Sequence, residues 1–112
     1  MRRLCDLSEL PEGDARGFPP APGSFIGLFA VRHRNQIHVY LNSCPHIGLA
    51  LDWEPSQFLS QDKQRIVCAT HGAEFRIEDG ETLRGPCLGE HLTKIDCHIE
   101  NGALWVADNA GL

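Results

Sequence analysis

Two short motifs constrain this chain more than anything else in it: Cys44-Pro45-His46-Ile47-Gly48 and Cys68-Ala69-Thr70-His71-Gly72. Each offers one thiolate and one imidazole from a loop, with a glycine close behind the histidine. A two-iron, two-sulfur cluster bound by four cysteines needs no histidine. A cluster with two cysteines on one iron and two histidines on the other needs both, and the neutral imidazoles raise its potential. Cys44, His46, Cys68 and His71 are therefore the candidate ligands of a mixed 2Fe-2S centre. Each loop touches both irons in such a site, so the fold has to unite two loops separated by the twenty-one residues from Ile47 to Val67.

Two plainer readings compete. Zinc also accepts two cysteines and two histidines, but its structural sites usually place paired cysteines before paired histidines with at least two residues between them. The alternation here departs from that order. A degenerate domain that binds nothing is the other reading, and such a chain should have lost a ligand; none of the four is missing.

The Cys-Pro-His-x-Gly and Cys-x-x-His-Gly contexts, Gly85-Pro86 after the second loop, and the terminal strands together resemble the Rieske iron-sulfur family over essentially the whole chain. The resemblance implies an all-β Rieske fold, in which an antiparallel β-sandwich base carries a small cluster-binding subdomain of two ligand loops. Here that is one 1–112 domain with the subdomain at about 43–88. It implies Cys44 and Cys68 on a buried iron, and His46 and His71 on an outer iron with their remaining nitrogens toward solvent. The chain looks like the ferredoxin components that pass electrons from a flavin-dependent reductase to a ring-hydroxylating oxygenase or another redox enzyme, with no catalysis of their own. Family members also serve as small subunits of nitrite reductases, and a redox-sensing or metal-binding module is the alternative to a carrier.

The strand pattern agrees with an all-β domain. Prolines and glycines from Gly13 to Gly23 break the early chain before an apolar strand predicted over Phe25–Val31. A polar turn at 32–35 leads into a strand over Gln36–Leu41 that delivers the chain to Cys44. Its alternation sets Ile37, Val39 and Leu41 on one face and His38 and Tyr40 on the other. Arg65–Val67 and Glu74–Ile77 frame the second ligand loop as a hairpin. Residues 94–100 alternate into an Asn101-Gly102 turn, the strongest short-range hairpin signal, and return through Leu104–Val106.

The long gap between the motifs is the clear departure from many family ferredoxins. Its extra length falls around 51–59, where Pro55 suits the first turn of a short helix with Phe58 and Leu59 as apolar contacts. Trp53 and Phe58 read as satellite core before they read as a docking surface. The respiratory members carry a disulfide between the ligand loops, but the matching positions here are Leu49 and Thr70. Those members also aim serine and tyrosine hydroxyls at the cluster, where Ala73 and Phe75 stand here. Fewer donors to the reduced, more negative state imply a low-potential cluster.

At 112 residues the chain has room for one modest core and no added catalytic module. A net charge of -5 disfavours nucleic acid and anionic membranes. No apolar run approaches the eighteen or more residues of a membrane helix. No secretory signal is visible, so a cytoplasmic monomer is expected. Of the five cysteines, Cys5, Cys87 and Cys97 remain outside the motif and read as reduced packing residues. His33, His38, His91 and His98 form no iron triad with a carboxylate. No glycine-rich phosphate loop opens a helix, so nucleotide or flavin is not expected in this chain.

Overall fold

The computed structural model describes residues 1–45, 50–52, 56–69, 72–86 and 88–110. Among these lie ten strands: β1 (Arg2–Asp6), β2 (Ala15–Phe18), β3 (Leu28–His33), β4 (Gln36–Leu41), β5 (Arg65–Val67), β6 (Glu74–Arg76), β7 (Thr82–Arg84), β8 (Lys94–Ile95), β9 (Cys97–Glu100) and β10 (Ala103–Val106). They pair antiparallel in three sheets, ordered β1-β10-β9, β2-β3-β4-β8 and β5-β6-β7. The all-β expectation holds.

The β2-β3-β4-β8 sheet contributes to two cores. Leu28 and Ala30 of β3 and Val39 of β4 pack with Cys5, Leu104 and Val106 of the first sheet. Phe29, Val31 and Tyr40, from the alternate positions, pack instead with Ile66, Phe75, Cys44 and Cys68. A strand buried on both faces reads as a continuous apolar run, which is why β3 shows little alternation. The same fact corrects the expected polar face of β4: Tyr40 is 0% exposed and His38 only 6%.

The apolar run from Phe25 is not strand throughout. β2 ends at Phe18, opposite Leu28, because Pro19 and Pro20 have no N–H to extend the ladder. Residues before Leu28 therefore lie beyond the paired region, and the Phe25 ring is 99% exposed. The following turn is tighter than expected, with Arg34 and Asn35 both at positive φ, as a two-residue hairpin turn requires.

The alternating stretch 94–100 is two strands rather than one. Lys94 and Ile95 pair with Tyr40 and Val39, whereas Cys97–Glu100 pair with β10, so the chain changes sheets at Asp96. Asn101 and Gly102 make the predicted turn, with φ of 52° and 73°. In the long gap, Pro55 and Trp53 lie outside the described residues. Phe58 and Leu59 are not helical: Leu59 bridges to Ile66, and Phe58 stacks on Phe29 with ring centroids 4.4 Å apart. Phe58 belongs to the main core, because the fold brings this segment back alongside β5, a long-range contact that periodicity does not encode.

Candidate metal centre

Each motif cysteine sits just past the end of a strand. Beyond β4, the Asn42 amide donates to the Gly27 carbonyl at 2.9 Å and the Ser43 amide to the Leu41 carbonyl at 2.9 Å, which sets the chain entering Cys44. Beyond β5, the Cys68 amide donates to the Ala73 carbonyl at 2.9 Å and the Gly72 amide to the Cys68 carbonyl at 2.9 Å. The second motif is therefore the tip of the β5–β6 hairpin, as expected. Gly72 has φ of 68°, a conformation that suits a residue without a side chain.

The two loops meet. The Ala69 amide donates to the Leu51 carbonyl at 3.0 Å. The Leu51 amide in turn donates to Asn42 Oδ1 at 2.8 Å, and Asn42 Nδ2 donates to Asp52 Oδ1 at 3.0 Å. Cys44 is 1% and Cys68 0% exposed, in one core with Ala73 and Phe75. No disulfide joins the four described cysteines, Cys5, Cys44, Cys68 and Cys97. His46 and His71 lie outside the described residues, as do Leu49, Thr70 and Cys87.

A third loop presses on the second. Gly85 has φ of 112°, and a Cβ placed on it would lie 2.8 Å from the Ala73 Cα. Gly85-Pro86 thus runs against the backbone five residues past Cys68, which only a glycine at that position permits.

Below the site, two contacts join the segment after β6 to β4 and β8, and a third links β8 to β4. Tyr40 Oη donates to the Ile77 carbonyl at 2.5 Å, and Lys94 Nζ donates to the Glu78 carbonyl at 3.0 Å. Lys94 Nζ also lies 3.3 Å from His38 Nδ1. Burial, then Asp79 and Glu78, push the Tyr40 hydroxyl above its usual range, so it stays a donor. His38 is held below its ordinary value by burial and then by Lys94.

The two described cysteines outside the motifs behave as packing residues. Cys5 is buried and Cys97 half-buried, both against the second core, and burial pushes both thiols up. His38 and His33 are buried rather than solvated, because β3 and β4 are covered on both sides. Among the described residues no three His, Cys, Asp or Glu side chains gather as a metal site. Asn42 was not singled out from sequence; the usable signal was an asparagine at a strand end, where its amide readily bonds neighbouring backbone. Lys94 gave no such signal.

Residues 2–99 match the Rieske [2Fe-2S] domain, and the chain belongs to that family of cluster-binding domains. Solved structures share the fold. The ferredoxin of carbazole 1,9a-dioxygenase from Nocardioides aromaticivorans IC177 is 22% identical with a TM-score of 0.72, covering 94% of each chain. A chain in the complex of reduced oxygenase and oxidized ferredoxin of carbazole 1,9a-dioxygenase is 22% identical with a TM-score of 0.74, covering 95% of this chain and 91% of that one. The terminal oxygenase of the Nocardioides enzyme is 19% identical with a TM-score of 0.75, but the match spans only 29% of it against 94% of this chain. No curated protein matches the sequence.

Proposed function

We propose that the chain is a one-electron carrier whose 2Fe-2S cluster is held by Cys44 and Cys68 on one iron and by His46 and His71 on the other. The observation that carries this is the placement of two buried thiols, Cys44 and Cys68, in one core at the meeting of two bonded loops. Soft thiolates in a dry pocket suit iron and sulfide. Two thiols are only half of a ligand set, and the histidine that follows each cysteine in its own motif supplies the other half.

The donor set fits the cluster. Bound there, the cluster supplies reversible one-electron chemistry. The chain's own residues exclude water from the thiolate side, through Phe75, Ala73 and Leu51, all 0% exposed. Its partners are other proteins: a flavin-dependent reductase as donor, and an oxygenase or another redox enzyme as acceptor. The pairing of a ferredoxin with an oxygenase in the carbazole system supports this reading. The four described cysteines, kept outside disulfides, suit a reducing compartment such as the cytoplasm.

The test is electron paramagnetic resonance of the dithionite-reduced protein, with iron and acid-labile sulfide measured on the same sample. A mixed-ligation two-iron signal with matched iron and sulfide is expected. His71→Cys should convert the signal toward that of an all-cysteine cluster. Zinc with no signal, after anaerobic reconstitution, would overturn the carrier.

A further inference from the structure

We infer that Asn42 is the positioning residue that sets the two ligand loops in register. Its single side-chain amide binds both Leu51 and Asp52 beyond the first ligand loop. Oδ1 accepts the Leu51 N–H at 2.8 Å while Nδ2 donates to Asp52 Oδ1 at 3.0 Å. Its backbone N–H is fixed to the Gly27 carbonyl at 2.9 Å, so the clamp is anchored on the chain that enters β3.

From Leu51 the connection passes to the other motif. The Leu51 carbonyl accepts the Ala69 N–H at 3.0 Å, and Ala69 is the residue next to Cys68, whose own N–H is closed onto Ala73. Cys44 and Cys68 are thus tied through one run of hydrogen bonds, Asn42 to Leu51 to Ala69. That run does the work of a covalent bridge, which leucine and threonine at positions 49 and 70 cannot form. Leu51 is 0% exposed, so its N–H has no water to turn to if Asn42 is lost.

The chemistry asks for an amide at position 42. The side chain must accept from a backbone N–H and donate to a carboxylate at once, and only asparagine offers both at this length. An aspartate there would keep the bond to Leu51 but bring two carboxylates together. Moving the amide to the other partner, with aspartate at 42 and asparagine at 52, restores both bonds with the donor reversed.

Because the clamp spans the loops to which the ligand reading assigns Cys44 and Cys68, its role in cluster retention rests on that reading. The test compares wild type, Asn42→Asp, and Asn42→Asp combined with Asp52→Asn. Loss of the visible absorbance of the reconstituted protein in excess iron chelator should be about tenfold faster in Asn42→Asp, the scale of the hydrogen bonding removed. Its reduced resonance lines should broaden. The exchanged pair should return both to within about twofold of wild type. Wild-type retention in Asn42→Asp, or no rescue by the exchange, would overturn the proposal.

Hydrogen exchange of the Leu51 and Ala69 amides in the apoprotein provides a readout without the cluster. Both should lose protection in Asn42→Ala, which removes the acceptor of the Leu51 N–H, and keep it in the exchanged pair, and unchanged protection in Asn42→Ala would also overturn the clamp. A wild type that takes up no cluster but shows this exchange pattern would sink the ligand reading and leave the clamp standing.

Discussion

Replacing Gly85 with alanine isolates the close approach of the third loop to the second. Two penalties combine. The residue has φ of 112°, where an L side chain is strained, at about 1–2 kcal/mol. The new methyl carbon would also lie 2.8 Å from the Ala73 Cα and 2.9 Å from its Cβ. These are backbone and near-backbone atoms of a fully buried residue, which cannot swing aside, and overpacking of this kind costs about 1–3 kcal/mol. The sum is about 3 kcal/mol. Gly13 is the control, because it has φ of 83° with nothing within 4 Å of a placed Cβ. Gly13→Ala therefore carries the strain without the overlap, about 1 kcal/mol. For a domain of this size 1 kcal/mol moves the midpoint by roughly 4 °C, so thermal unfolding followed by circular dichroism should drop by about 12 °C for Gly85→Ala and about 4 °C for Gly13→Ala. Equal drops in the two variants would refute the contact between Gly85 and Ala73.

The double variant Ala73→Ser with Phe75→Tyr places two hydroxyl donors in the core that holds Cys44 and Cys68. The midpoint by protein-film voltammetry should start toward the low end of the roughly -150 to +300 mV span of Rieske centres and rise in the variant. Phe58→Ala removes a ring stacked on Phe29 at the centre of the same core and should cost about 3–5 kcal/mol in urea unfolding. His38 is held below the ordinary imidazole range by burial and Lys94, with Glu78 opposing and His33 adding to the effect. Its folded form then binds fewer protons than the unfolded chain, so stability should fall as pH drops through about 6.5 and below. His38→Gln should flatten that slope in pH-dependent urea titrations.

The placement of the two motif cysteines was legible because their motifs are local. Cys44 and Cys68 each stand at the end of a strand whose bounds the alternation and the flanking turns marked. The β5–β6 hairpin and the Asn101-Gly102 turn were readable for the same reason. What periodicity could not show is what covers a strand. His38 and Tyr40 look like a polar face until a third sheet is laid over them, and that sheet lies more than twenty residues further along the chain. Phe25 looks like strand because it is apolar, yet the prolines that end β2 remove its pairing partner. Phe58 and Leu59 fall under the same heading, since their seat beside β5 is a tertiary contact. Asn42 was passed over for a different reason: its partners, Leu51, Asp52 and Gly27, all lie outside the strand that it follows.

The pairing of β1 with β10, Arg2 opposite Val106, bears on the order in which the molecule assembles. The sheet of β5, β6 and β7 uses only residues 65–84, whereas the first sheet joins nearly the two ends of the chain. Closing so long a loop is entropically slower than zipping adjacent hairpins. During synthesis the hairpin that bears Cys68 can form while β10 is still unmade, and β1 must wait with its pairing edge open. Pulsed hydrogen exchange should accordingly find the Ile66 and Phe75 amides protected before that of Leu104, which faces β1. Simultaneous protection would point to a single concerted closure. In the cell, the hairpin that bears Cys68 would then be presented before the base beneath it is sealed, and the unsealed β1 edge would be the point at which a nascent chain is most exposed to mispairing.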